Sequence, residues 1–97
     1  MRLWLDDERP APDGWHATKD AAEALSLIRS GKVVEASLDH DLGNEPYNGY
    51  WILKSVEEDL ARGVRYSVPT ISIHTANPVG RRNMRAALES IQRLASK

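Results

Sequence analysis

The sequence contains no cysteine. Disulfides, thiolate nucleophiles and zinc sites with sulfur ligands are therefore excluded. No apolar run approaches the roughly 20 residues that a membrane span needs. The chain also lacks an excess of either sign of charge. Its 13 Lys and Arg against 14 Asp and Glu leave a net −1. No global field draws it to nucleic acid or to an anionic membrane, so any recognition of a nucleotide must be local. Internal repeats, low-complexity tracts and linkers are missing as well. The first residues read as a strand rather than a signal peptide, and a soluble cytoplasmic protein is the expectation.

What is present is an ordinary globular composition, 41% hydrophobic over 97 residues. That length predicts a single domain spanning 1–97, with one modest core. Two apolar segments stand out because each ends in acid. Met1-Arg2-Leu3-Trp4-Leu5 runs into Asp6-Asp7, and Val33-Val34-Glu35-Ala36-Ser37-Leu38 runs into Asp39-His40-Asp41. In an extended chain, residues i and i+2 leave on the same side, so Asp39 and Asp41 point together. Ligands of an open parallel sheet bind beyond the carboxyl ends of the strands. If these two strands are neighbours, up to four carboxylates meet at one edge. Such a cluster is tolerable only around a cation or a shared proton. Hard oxygen ligands suit Mg²⁺, Mn²⁺ or Ca²⁺. The plainer alternative is that each strand simply ends in a polar loop.

Taken in order, the first strand covers 2–6, and a Pro- and Asp-Gly-rich turn covers 8–14. A short edge strand follows at Trp15-His16-Ala17. Asp20-Ala21-Ala22-Glu23 has capping-box spacing and opens a helix with Ala21, Leu25 and Ile28 on one face, stopped by Gly31. The third strand is 33–39. A second helix begins near Asn48-Gly49 and carries Ile52, Val56 and Leu60 to Gly63. The fourth strand, 68–74, alternates Ile71 and Ile73 with polar residues. Asn77 and Pro78 then cap a last helix whose inward stripe is Met84, Leu88, Ile91 and Ala95. Helical connections imply a parallel sheet with right-handed crossovers and helices on both faces. The expected fold is a three-layer α/β domain with strand order 2-1-3-4.

Arg81 and Arg82 fall in the first turn of the last helix, where the dipole disfavours cations. Violations of a local rule concentrate at functional sites. With Asn77 and the helix amides, the two guanidiniums would make a phosphate cradle; otherwise they are solvated side chains that pair with Glu89. His74 ends the fourth strand at the ligand edge, either as a catalyst or as a hydrogen-bonded structural residue. His40 lies between two aspartates. His16 is assigned no role.

These residues together resemble a family. Leu3-Trp4-Leu5-Asp6-Asp7-Glu8 looks like the opening of a bacterial response-regulator receiver domain. Leu38-Asp39 resembles its phosphoacceptor strand, Asn48-Gly49 the start of the helix that follows, and Pro69 through Thr75-Ala76 its fourth strand. The strings from Leu3 to Pro10, Ser37 to Gly43 and His74 to Gly80 are similar to a truncated, cyclic-phosphate-processing branch of that family. The resemblance implies a flavodoxin/receiver-like fold without the fifth strand and helix, and so without the receiver lysine. It implies that Asp7 and Asp39 ligate a divalent metal, Mg²⁺ or Mn²⁺, with Asp6 acting through water and Asp41 through its carbonyl. Thr75, or His74 if counted forward from Pro69, would contact a phosphoryl oxygen.

The activity expected is hydrolysis of a cyclic phosphate, on a nucleotide or an RNA end, in the setting of RNA repair. Asp39, His40, His74 and Thr75 are its candidate catalytic residues. Thr75, Asn77, Arg81 and Arg82 would hold phosphate. Asp39 as nucleophile with Asp41 as acid/base is the variant chemistry, by analogy with haloacid-dehalogenase-type phosphatases. The alternative function is a non-enzymatic receiver-like module, with Asp39 as phosphoacceptor or metal site and a protein partner. The unpaired fourth strand predicts a homodimer through that strand or the last helix.

Overall fold

The computed structural model describes residues 1–40 and 47–96. Four strands and three helices follow one another as β1 (Arg2–Leu5), β2 (His16–Thr18), α1 (Ala21–Arg29), β3 (Glu35–Leu38), α2 (Gly49–Ala61), β4 (Thr70–Ile73) and α3 (Pro78–Ala95). All strand pairs are parallel and the order is β2-β1-β3-β4. This is the parallel sheet, in the order 2-1-3-4, that the sequence pattern calls for, and it matches the receiver-like fold that the resemblance implies. It places the two strands that end in acid side by side in the middle.

The register sorts side chains by face. Leu3, Ala36 and Ile71 share one row, and Leu5, Leu38 and Ile73 another. These rows pack against Leu25 and Ile28 of α1, Ile52, Leu53 and Val56 of α2, and Met84 and Ile91 of α3 in one core. The intervening rows are Arg2, Glu35 and Thr70, then Trp4, Ser37 and Ser72, most of them exposed or half-buried. Here the architecture departs from the expected helices on both faces. No helix joins β1 to β2. The two crossovers β2–α1–β3 and β3–α2–β4 run in the same direction, so right-handedness puts both helices on one face. α3 then packs against α2. Among the described residues the helices form a single row, and no helix covers the other side of the sheet, where Arg9 and Trp15 lie against Trp4.

Local chemistry sets the element ends. Asp20 caps α1, its Oδ1 accepting from the amides of Ala22 at 2.9 Å and Glu23 at 3.4 Å. The reciprocal half of the capping box does not form. The Asp20 amide goes to Thr18 Oγ1 instead, and Glu23 faces His16. Gly31 and Gly63 take φ of +78° and +90° just beyond α1 and α2, a region glycine enters without strain. In α3 the inward positions are Met84, Ala87 and Ile91, with Leu88 and Leu94 at the margin. Ala95 is exposed, because Leu94 takes the inward place in the last turn.

One ion pair ties the helices together. Arg29 Nε and Nη2 donate to the two carboxylate oxygens of Asp59 at 2.8 and 3.0 Å, and the Tyr66 hydroxyl donates to Oδ2 at 2.8 Å. The Arg29 hydrogen bond, helped by Tyr66, holds the Asp59 carboxyl below the usual aspartate range against the effect of burial. A folded-state pKa below the unfolded one stabilises at neutral pH. That contribution is lost as pH falls from the ordinary aspartate value, about 4, through the folded-state value. Arg29 is half exposed, so the expected cost of Asp59→Asn is only about 1–2 kcal/mol at neutral pH. The gap to wild type should close below about pH 4, as read from denaturation midpoints across pH. A gap that stays constant would mean the carboxylate is not the source.

Candidate metal and phosphate site

The sheet ladder runs one residue past β1, β3 and β4. The Asp6 amide donates to the Thr18 carbonyl at 3.2 Å, the Asp39 amide to Leu5 at 3.0 Å and the His74 amide to Leu38 at 3.0 Å. Three chemistry-bearing residues therefore leave their strands at one level. By register they follow Trp4, Ser37 and Ser72, on the side of the sheet that carries no helix. Asp6, Asp39 and His74 each offer a ligand atom within 4.8 Å of the others.

His74 is held from several directions. Its Nε2 lies 3.0 Å from Asp6 Oδ2 and its Nδ1 2.6 Å from Ser37 Oγ. An ionised carboxylate only accepts, so Nε2 carries a proton. Trp4 stacks on the imidazole with centroids 4.0 Å apart and planes within 7°. Trp4 is fixed in turn by its Nε1 donating to the Arg9 carbonyl at 3.0 Å and by Trp15 against its edge. Arg9 Nη1 donates to the His74 carbonyl at 3.0 Å.

Asp6 is 5% exposed. Burial alone would raise its pKa. The amides of Arg9 and Glu8, which donate to Oδ1 at 2.9 and 2.8 Å, outweigh that together with His74 and hold the carboxyl below the ordinary range. Asp39 is 9% exposed. Two carboxylates so close, in so sheltered a place, suit a positive charge between or beside them. The donor set suits a hard divalent cation held by Asp6 and Asp39. Both His74 nitrogens are engaged, so the imidazole stands beside such an ion as a hydrogen-bonding partner. Asp7 is half-buried and not in this group, and Asp41 lies outside the described residues.

The tip of α3 closes the other side. The amides of Val79 and Gly80 donate to Asn77 Oδ1 at 3.1 and 3.0 Å, and that of Arg81 to the Asn77 carbonyl at 2.9 Å. Pro78 has none to give. The helix amides expected to cradle a phosphate are thus taken by the helix's own cap. Thr75 is 1% exposed and its hydroxyl accepts from the Asn77 amide at 3.2 Å, beneath the cap. His74 is the residue of the two that faces the edge. Arg81 Nη2 donates to the Thr75 carbonyl, while Arg82 is exposed. His40 packs against the first turn of α3; a Cβ added at Gly80 would lie 2.6 Å from its ring.

A family model for the cyclic-phosphate processing receiver domain matches residues 1–90. The chain belongs to that family. No curated protein and no solved structure matches it. The match to the cyclic-phosphate processing receiver domain takes in Asp6, Asp39, His40, His74 and the first arginines of α3. Among the described residues, no helix is long and apolar enough to cross a membrane.

Ser37, Trp4 and Arg9 were not singled out from sequence, yet they support the imidazole. The signal was there for two of them: each lies two residues before an edge aspartate, and period-two geometry aims it the same way. Ser37→Ala is expected to leave the fold intact, cost about 1 kcal/mol and shift the His74 ring nitrogen resonances. Unchanged resonances would mean that the Ser37 contact is not made in solution.

Proposed function

We propose that this domain is a divalent-metal-dependent phosphoester hydrolase that opens cyclic phosphates, on RNA ends or on nucleotides, to monoesters. The observation that carries the reading is the convergence of Asp6, Asp39 and His74 at the ends of three adjacent strands, beside the arginine-bearing tip of α3. The family's description supports the substrate class.

Asp39 and Asp6 would hold the cation, Mg²⁺ or Mn²⁺, which would supply positive charge to the phosphoryl oxygens and a water of lowered pKa. Arg81 and Arg82 attract the anionic diester and orient it against the strand ends. Water adds to phosphorus, one ring P–O bond breaks, and the released ribose oxygen takes a proton. His74, with Nε2 on Asp6 and Nδ1 on Ser37, would give up that proton only by releasing its hydrogen bond to Asp6, and otherwise holds the Asp6 carboxylate in place. His40 flanks the same edge from the side of α3 and is the second candidate acid. Trp4 and Ser37 keep the His74 ring from turning away.

Incubation with a 2′,3′-cyclic nucleotide, with Mg²⁺ or Mn²⁺ and then with chelator, tests the proposal. Metal-dependent monoester that disappears in Asp39→Asn is the expected result. Stable labelling of Asp39 by acetyl phosphate without turnover would favour a signalling module instead. We also propose that two copies pair along β4 or α3; a monomeric mass in concentrated solution scattering would refute that.

A further inference from the structure

We propose that the outer face of α3 binds the sugar–phosphate backbone of an oligoribonucleotide whose 3′ end occupies the site at the strand ends. This rests on the hydrolase reading for what happens at that end, but its evidence is separate. Pro78, Arg81, Arg82, Arg85 and Glu89 line a groove of about 440 Å³ along one side of the helix. From Pro78 to Glu89 the helix rises roughly 16 Å, long enough for more than one phosphate.

The charge on this face is out of keeping with the rest of the molecule. The chain carries −1 overall, whereas α3 has four arginines and one glutamate and no acid in its first turn. Three guanidiniums within five residues repel one another, and they sit in the half of the helix where the dipole disfavours cations. Among the described residues, no carboxylate pairs with Arg82 or Arg85, not even Glu89 one turn beyond Arg85. An approaching polyanion relieves these repulsions together.

The groove also starts in the right place. Arg81 reaches the carbonyl of Thr75, the neighbour of His74, so the row of arginines leads away from the strand ends. A five-membered cyclic phosphate forms only where a 2′-hydroxyl adjoins a 3′-phosphate. A polymer with that end is RNA, and its next phosphodiester lies one nucleotide upstream. A mononucleotide would leave Arg85 with nothing to hold.

The test is anisotropy titration of a labelled oligoribonucleotide ending in a 3′-phosphate, with a 3′-mononucleotide as competitor, across salt concentrations. At low salt the oligomer should bind at least about tenfold tighter than the mononucleotide. The slope of log affinity against log salt should be about −2 for three contacts on a single strand. Arg85→Ala should reduce that slope to about −1.4; Arg85→Glu should abolish the preference, and neither variant should change mononucleotide affinity. Arg85 is exposed, and circular dichroism would verify folding of the variants. Equal affinity for both ligands, a slope indifferent to Arg85, or tighter binding of a small bisphosphorylated nucleotide would overturn the inference. Hydrolysis without oligomer preference would refute this groove and leave the hydrolase. Arg85-dependent oligomer binding without hydrolysis would do the reverse.

Discussion

Asp39→Asn is expected to lower metal-dependent turnover of a 2′,3′-cyclic nucleotide by at least about a hundredfold, with the fold preserved. Asparagine has nearly the same volume, so the end of β3 keeps its shape while one of two adjacent carboxylates goes. The same substitution should be visible without any reaction. A ligand that binds only the folded state stabilises it by about 2.7 kcal/mol at a hundredfold excess over its Kd. Wild type should therefore show a rise in Tm on adding Mg²⁺ or Mn²⁺, and Asp39→Asn should show little or none. The pair of readouts separates two failures. An Asn variant that keeps its metal-induced rise but loses turnover would make Asp39 a reacting group rather than a ligand. One that keeps both would remove the acidic edge from the mechanism.

Gly49→Ala is expected to be among the most damaging single-atom additions in the chain, destabilising by about 3 kcal/mol or more. A Cβ at this position would stand 2.2 Å from the carbonyl oxygen of Asp39 and 2.8 Å from Met84 Cε. Methionine can yield, but the backbone of β3 cannot move without carrying Asp39 with it. Loss of stability should therefore come with loss of metal-induced stabilisation in whatever folded fraction remains. Gly80→Ala is the control. The added atom there meets the His40 ring, 2.6 Å from Cγ, so that a side chain rather than a strand backbone has to give. Its denaturation midpoint should fall much less, while any contribution of His40 to turnover should be lost. Equal destabilisation by the two substitutions would contradict this account of why Gly49 is a glycine.

Much of the sheet was legible because each strand carries its own signature. Leu3 and Leu5, Ala36 and Leu38, and Ile71 and Ile73 repeat every second residue, and acids at the ends of β1 and β3 pointed to a shared edge. That one face lacks helices was legible too. A parallel sheet covered on both sides reads as a continuous apolar run, whereas Thr70-Ile71-Ser72-Ile73 alternates and Arg2 and Trp4 interrupt β1. The hydrogen-bond economy at the tip of α3 was harder to see. Asn77 as cap was evident, but that its carboxamide takes two amides, and that Thr75 lies buried beneath it, depends on how β4 enters the helix. Period alone also could not rank Asp6 against Asp7. The turn after β1 brings the amides of Glu8 and Arg9 onto Asp6, which the spacing does not foretell.

A sheet clad on one side, in a chain without a single native thiol, offers a convenience for spectroscopy. Ser72 is exposed on the uncovered side, two residues before His74 and in the same row as Trp4 and Ser37. Ser72→Cys would introduce a unique attachment point for a spin label or fluorophore, clear of the core and close to the strand ends.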